Sequence, residues 1–168
     1  LLRPGGGVAI LGNPLGASQG VPGQEIANWL SAEEVKNTKL AGGQWFKVEP
    51  GPIADSGEWT HQYGNAGNTT SSDEKLGGAT QTDELEVQWV GRPGADFGID
   101  RNPRMPAPLS SWGRLFHQGM NRMIALDAYN GSALWSLEIP DLRRVNMPRD
   151  ASNWCTDGKA LFVAVKDR

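Results

Sequence analysis

The sequence is poor in the residues from which metal and nucleophilic centres are commonly built. It has one cysteine, Cys155, and two histidines, His61 and His117, in 168 residues. A lone cysteine excludes an internal disulfide framework and cannot hold a metal by itself. Nor is there an uninterrupted apolar run near the roughly 20 residues that a membrane-spanning helix requires, so no transmembrane segment is expected. Hydrophobic residues make up 38% of the chain, a modest supply for a core, whereas glycine and proline are plentiful at 22 and 11. That balance favours short strands joined by many turns. The chain starts at Leu1, and its last residues, Leu161-Phe162-Val163-Ala164-Val165-Lys166-Asp167-Arg168, stop at the end of an apolar strand-like run, so it reads as a piece of a longer protein. A missing signal peptide therefore carries no weight, and composition leaves the compartment open.

Charge is unevenly distributed. Residues 1–88 hold 5 basic and 11 acidic side chains, residues 89–168 hold 11 basic and 8 acidic, and nine of those eleven are arginine. Arginine binds carboxylate and phosphate in a planar, bidentate fashion, but it also covers strand surfaces and pairs with aspartate. The split by itself does not suggest a nucleic-acid partner.

The most regular stretch is residues 112–135. Leu115-Phe116-His117-Gln118, Met123-Ile124-Ala125-Leu126 and Ser132-Ala133-Leu134-Trp135 read as strands, separated by turns at residues 119–122 and 127–131. The result is an antiparallel meander. Asn130-Gly131 is its strongest signal, since both residues tolerate the positive φ of a tight hairpin turn, and Asp127 has a side chain suited to bonding backbone N–H groups inside the loop. Alone, such a sheet has bare edges and uncovered faces.

Before it, Leu1-Leu2-Arg3-Pro4-Gly5-Gly6-Gly7 reads as a helix end and turn, leading into a strand at Val8-Ala9-Ile10-Leu11. Apolar spacing at Ile26, Trp29 and Leu30, with Ser31 as an N-cap candidate, predicts one or two short helices over 25–36, and Gln44-Trp45-Phe46-Lys47-Val48 predicts a strand. Two prolines and two glycines in residues 49–57 mark a linker, placed at 50–57. Residues 58–84 divide into a docking segment, Glu58-Trp59-Thr60-His61-Gln62-Tyr63, and a polar loop. Burial of two aromatics is the favoured role of the former, over a ligand platform. His61 has the chemistry of a general base, yet no nucleophile or orienting carboxylate stands at a recognisable spacing. From Leu85, alternation of Leu85, Val87 and Trp89 with Glu86 and Gln88 predicts a half-buried strand. A long polar excursion over 91–108 follows, and Arg92, Asp96, Asp100, Arg101 and Arg104 make it the first candidate for a ligand loop.

Residues 85–168 also carry a repeat. Trp89 and Trp135, Leu115-Phe116 and Leu161-Phe162, and Asn121-Arg122 and Asp167-Arg168 are all separated by 46 positions. Several short strands per unit of this length point to β-propeller blades rather than a helical solenoid.

Gly113-Arg114-Leu115-Phe116, Met123-Ile124-Ala125-Leu126-Asp127-Ala128, Asn130-Gly131 and Leu134-Trp135 together resemble the pyrroloquinoline-quinone-type (PQQ-like) propeller repeat. The resemblance implies a mainly β chain holding under two blades of a β-propeller over 85–168, with the remaining blades of the same chain as partners. Structural roles follow for Gly113, Asp127, Gly131, Trp89 and Trp135, the tryptophans packing between blades and Asp127 with Gly131 shaping the turn. Proteins with this repeat include quinoprotein dehydrogenases, which hold PQQ with calcium on the ring axis, and non-catalytic relatives such as the lipoprotein scaffold of outer-membrane barrel assembly. The enzymes' adjacent cysteine pair is missing here, and no catalytic or cofactor-binding residue is assigned. A rigid binding or scaffold module for a small-molecule or protein ligand is the leading expectation, and a quinoprotein oxidoreductase the alternative. By the same resemblance the location would be periplasmic or in the cell envelope.

The turn Leu2-Arg3-Pro4-Gly5-Gly6 and the strand after it resemble the late part of class I S-adenosylmethionine (SAM)-dependent methyltransferases. This implies that residues 1–49 are the α/β C-terminal remnant of such a domain, with the SAM-binding loop upstream of Leu1. It leaves open a methyltransferase fusion, cytoplasmic if that domain is functional, in a large bacterial multidomain protein.

Overall fold

The computed structural model describes residues 2–14, 20–32, 37–40, 45–91, 106–142 and 151–166. It divides into two compact units, Leu1–Ile53 and Ala54–Arg168. Within the described residues the chain is mainly β and its sheets are antiparallel.

In the first unit, strand β1 (Ala9–Gly12), helix α1 (Gly23–Ala32), strand β2 (Asn37–Lys39) and strand β3 (Trp45–Val48) follow in order, and the sheet runs β1-β3-β2. Alternation sets the packing: Phe46 and Val48 turn to one face, where Leu30, Ile26 and Ala27 of α1 cover them together with Ala9 and Leu11. Two expectations fail here. Leu2 and Arg3 are not helical. Ser31 is no N-cap, because it lies inside α1 and its Oγ donates to the Ala27 carbonyl, 2.9 Å away. A serine hydroxyl satisfies the carbonyl one turn back as readily as an N-terminal amide. Residues 33–36, the remainder of the predicted helical run, lie outside the described residues.

The second unit is organised on a four-stranded meander of β4 (Leu109–Ser111), β5 (Arg114–Gly119), β6 (Arg122–Asp127) and β7 (Ala133–Glu138). The three predicted strands are present, and β4 precedes them. Trp112 and Gly113, with φ of +53° and +66°, close the β4–β5 hairpin. Two left-handed residues in a two-residue loop match the right-handed twist of the strands they join. Met120 and Asn121 close β5–β6, and Asn121 takes positive φ at +56°. Its amide donates to the Leu142 carbonyl at 2.8 Å and its carbonyl accepts from Ile139, so the chain beyond β7 folds back over this turn.

Leu109, Phe116, Met123, Ala125, Leu142 and Trp154 form the buried core, flanked by Trp59, Ile139, Leu161, Val163 and Val165. β7 is exposed along its whole length. A second hairpin, β8 (Trp154–Thr156) with β9 (Leu161–Val163), repeats the first in register: Leu109 pairs with Phe116 and Cys155 with Phe162, Ser110 with Leu115 and Thr156 with Leu161. Each pair is displaced from its counterpart by the 46 positions of the sequence repeat. The predicted strand at 85–89 is different. It makes no strand pairing among the described residues, and Val87 is 79% exposed. Its alternating pattern specifies a face to bury, but a strand also needs a neighbour for its backbone.

Candidate functional site

The turn between β6 and β7 shows how local chemistry builds an attachment point. Asp127 Oδ1 accepts from the Tyr129 amide at 2.9 Å, Gly131 N–H donates to the Asp127 carbonyl, and Asn130 Oδ1 accepts from Ser132 N–H. Gly131 adopts φ +70°, while Asn130 keeps an ordinary φ. The Ala128 amide donates to the Gly113 carbonyl at 2.9 Å, tying this turn to the β4–β5 hairpin loop.

Trp89 sits on this turn. Its indole Nε1–H donates to the Ala128 carbonyl at 2.9 Å, its six-membered ring lies against Gly131, and the neighbouring Gln88 Nε2 donates to the Tyr129 carbonyl at 2.8 Å. Thus Trp89, Asp127, Gly131 and Gly113, singled out separately in the sequence, meet in one place. Trp135 does not join them. It lies on β7 with its ring centroid 6.1 Å from that of Phe116 and remains 39% exposed. Arg92, Asp96, Asp100, Arg101 and Arg104 lie outside the described residues.

The docking segment performs a second attachment. Trp59 exchanges backbone hydrogen bonds with Ser110 of β4, at 2.8 and 2.9 Å, while the next carbonyl, that of Thr60, accepts from Thr156 of β8 at 3.0 Å. Ser110 and Thr156 are equivalent positions in the two hairpins. One short segment therefore joins the first strands of successive units. Glu58 reinforces it: Oε1 accepts from Ser111 Oγ at 2.9 Å and from the Trp112 amide at 3.1 Å.

Beside this junction lies an open groove of about 710 Å³, lined by residues that include His61, Gln62, Asn68, Asn153, Trp154 and Phe162. His61 Nδ1 is 2.9 Å from Thr60 Oγ1. Asn153 Oδ1 and Trp154 Nε1 are buried and unpartnered among the described residues. The groove has an imidazole, amides and an apolar wall. Cys155 is the one thiol among the residues that line it. Sequence reasoning found the aromatic docking role of Trp59 but missed the groove, because Ser152 to Cys155 lie some ninety residues from His61 and carry no spacing that joins them.

His117, on β5, is half-buried, and loss of solvent holds its imidazole pKa below the ordinary value of 6.5. Backbone amides bonded to the carboxylates of Glu84 and Asp157 hold both below the usual carboxylate range. The shifts of Glu84 and Asp157 reflect local turn geometry, and that of His117 reflects burial. Among the described residues no group of three or more His, Cys, Asp or Glu stands in position to hold a metal ion, so none is assigned to calcium or to a quinone bound through it. No helix among the described residues is long and apolar enough to cross a membrane.

No family model, no curated protein and no solved structure matches this chain.

Proposed function

We propose that residues 85–168 belong to a PQQ-like β-propeller, a rigid ring that acts as a binding or scaffold module for a small-molecule or protein ligand. The observation that carries this reading is the seating of Trp89 on the 127–131 turn. By the 46-residue repeat, Trp89 is the counterpart of Trp135 in the preceding unit, so each unit's tryptophan would lock onto the turn of the next. The repeated hairpin register supports the same reading. Stacked units that bury one another's surfaces give a stiff frame, and function then belongs to the loops and grooves between them.

The groove at His61 and Asn153 is a place for such a ligand, since it is lined by both strands of the second hairpin and by the segment that joins β4 to β8. No step of catalysis is assigned to it. Residues 1–49 are proposed, from the sequence resemblance alone, to close a methyltransferase-like domain whose SAM site would lie outside them.

The test is to add pyrroloquinoline quinone and calcium to the full-length protein and follow cofactor absorbance and alcohol-dependent dye reduction. A scaffold module gives neither binding nor turnover. Saturable quinone binding with dye reduction would replace this reading with that of a quinoprotein oxidoreductase. Small-angle scattering of the same preparation should give the profile of a compact disc. An extended profile for residues 85 onward would remove the propeller reading itself.

A further inference from the structure

Trp112 is the most exposed of the seven tryptophans, at 64%, and it stands in the left-handed region with φ +53°. That conformation is cheap for glycine or asparagine and costly for a bulky side chain. A ring left mostly in water recovers little of the cost through burial. Nor does the fold ask for an indole at this position. Gly158 is the counterpart of Trp112 by the 46-residue repeat, and it holds positive φ as well, +84°, with no side chain at all. A strained aromatic that its own repeat does not require points to a task other than folding.

The surroundings supply the chemistry. A Cβ added to Gly158 would stand 2.6 Å from the Trp112 Nε1 and 2.7 Å from its Cδ1, so the indole rests by one edge on Gly158 and keeps a ring face open to solvent. Ser111 Oγ lies 3.3 Å from the same point and donates to Glu58 Oε1, which also accepts from the Trp112 amide. The carboxylate is thus fastened to the tryptophan's own backbone, and among the described residues Glu58 makes no ion pair. Asp157 and Lys159, both exposed on either side of Gly158, attract one another. Glu58 is therefore the uncompensated charge beside the indole. The loop that carries Trp112 is held on its other side by the Ala128 amide, which donates to the Gly113 carbonyl.

We infer that Trp112 and Glu58 form a docking point for an arginine side chain of a partner protein, its guanidinium stacked on the indole and drawn to the carboxylate. A guanidinium is flat and weakly hydrated, so it stacks on an aromatic face and bonds a carboxylate at the same time, whereas an ammonium is a compact, strongly hydrated point charge. The place is the tip of a hairpin rather than a concave pocket. That suits a side chain presented on another protein's surface, while a free small molecule needs walls on most of its sides. The docking point gives the binding module proposed above a protein partner and rests on that reading.

The experiment titrates the full-length protein, isotope-labelled on tryptophan, with a capped glycine-arginine-glycine tripeptide and follows the indole N–H resonances. The resonance missing from Trp112→Asn identifies Trp112. It should shift saturably, and the lysine analogue should bind more weakly by about 3-fold or more. Glu58→Gln keeps an acceptor for Ser111 Oγ and the Trp112 amide but removes the charge, and it should weaken arginine binding by about 5-fold or more. Trp112→Asn places a residue suited to the turn, so its urea midpoint should equal or exceed that of the parent while binding is lost. A lower midpoint would assign the indole to packing against Gly158 and overturn the inference. A shift produced by glucose and by neither peptide would overturn it in favour of a sugar platform. Self-association that Trp112→Asn abolishes would assign the partner to a second copy and overturn it too. Failure of the binding-module reading shows separately, as quinone binding with dye reduction, which the peptide titration does not measure.

Discussion

Trp89 lies so close to Gly131 that a Cβ added to the glycine would stand 2.5 Å from the indole ring. The glycine also holds φ +70°. Two separate physical demands therefore select it, one for a left-handed backbone and one for the absence of a side chain beneath an aromatic face. Gly131→Ala should destabilise the protein by about 2–5 kcal/mol, combining roughly 1–2 for the left-handed conformation with about 1–3 for overpacking. Urea unfolding followed by circular dichroism measures it. In a Trp89→Ala background the steric part should vanish, leaving about 1–2 kcal/mol, and an undiminished penalty there would refute the contact.

How far this junction was legible follows from the kind of signal each residue gives. Asp127 and Asn130-Gly131 declare a turn through their own backbone chemistry, and strands β5, β6 and β7 declare themselves as short runs set between turn residues. Partners distant in sequence are a different matter. The pairing of Trp59 with Ser110 and of Thr60 with Thr156 depends on which edges are left bare, which no local pattern encodes. β4 was missed because Leu109-Ser110-Ser111 is too short and too polar to stand out from the loop before it. Conversely, 85–89 has the pattern of a strand and, among the described residues, lacks the neighbour that would make it one. The candidate ligand loop at Arg92, Asp96, Asp100, Arg101 and Arg104 lies outside the described residues, and the groove at His61 comes from segments that only the fold brings together.

His117 makes stability depend on pH. Its folded-state pKa is lowered by desolvation, so the unfolded chain binds the proton more tightly than the folded one. The contribution is complete above the unfolded value near 6.5 and declines as pH falls below it towards the depressed folded value. Urea midpoints should therefore drop between about pH 7.5 and about pH 5, and His117→Gln should drop less over the same interval. Equal slopes for the two proteins would show that His117 does not carry this effect.

Leu142 anchors the return of the chain over the β5–β6 turn. Its side chain is fully buried and its carbonyl accepts from the Asn121 amide at 2.8 Å. Leu142→Ala keeps that backbone bond and opens a cavity, so a loss of about 2–5 kcal/mol is expected. Met120→Ala, one residue before Asn121 but half exposed, should change stability by no more than about 0.5 kcal/mol. Chemical denaturation of the two variants compares burial against proximity to the turn, and similar losses would mean that Leu142 is not in the core.

Glu58 joins the docking segment to the first hairpin through one oxygen that receives both Ser111 Oγ and the Trp112 amide. Ser111 is 2% exposed, so its hydroxyl has little access to water as a substitute partner. Glu58→Ala should thus leave a buried hydroxyl unsatisfied and destabilise by about 1–3 kcal/mol. Ser111→Ala removes the donor instead and should be milder, since the carboxylate still has the Trp112 amide. In the double variant the two losses should not add, because the orphaned hydroxyl is gone. The same variants bear on the groove, as Glu58 holds the segment that carries His61. If Glu58→Ala lowers stability without altering the chemical shift of the His61 ring protons, the carboxylate anchors β4 alone; a shifted His61 resonance is the expected result, because Trp59 and Thr60 between them register one hairpin against the other.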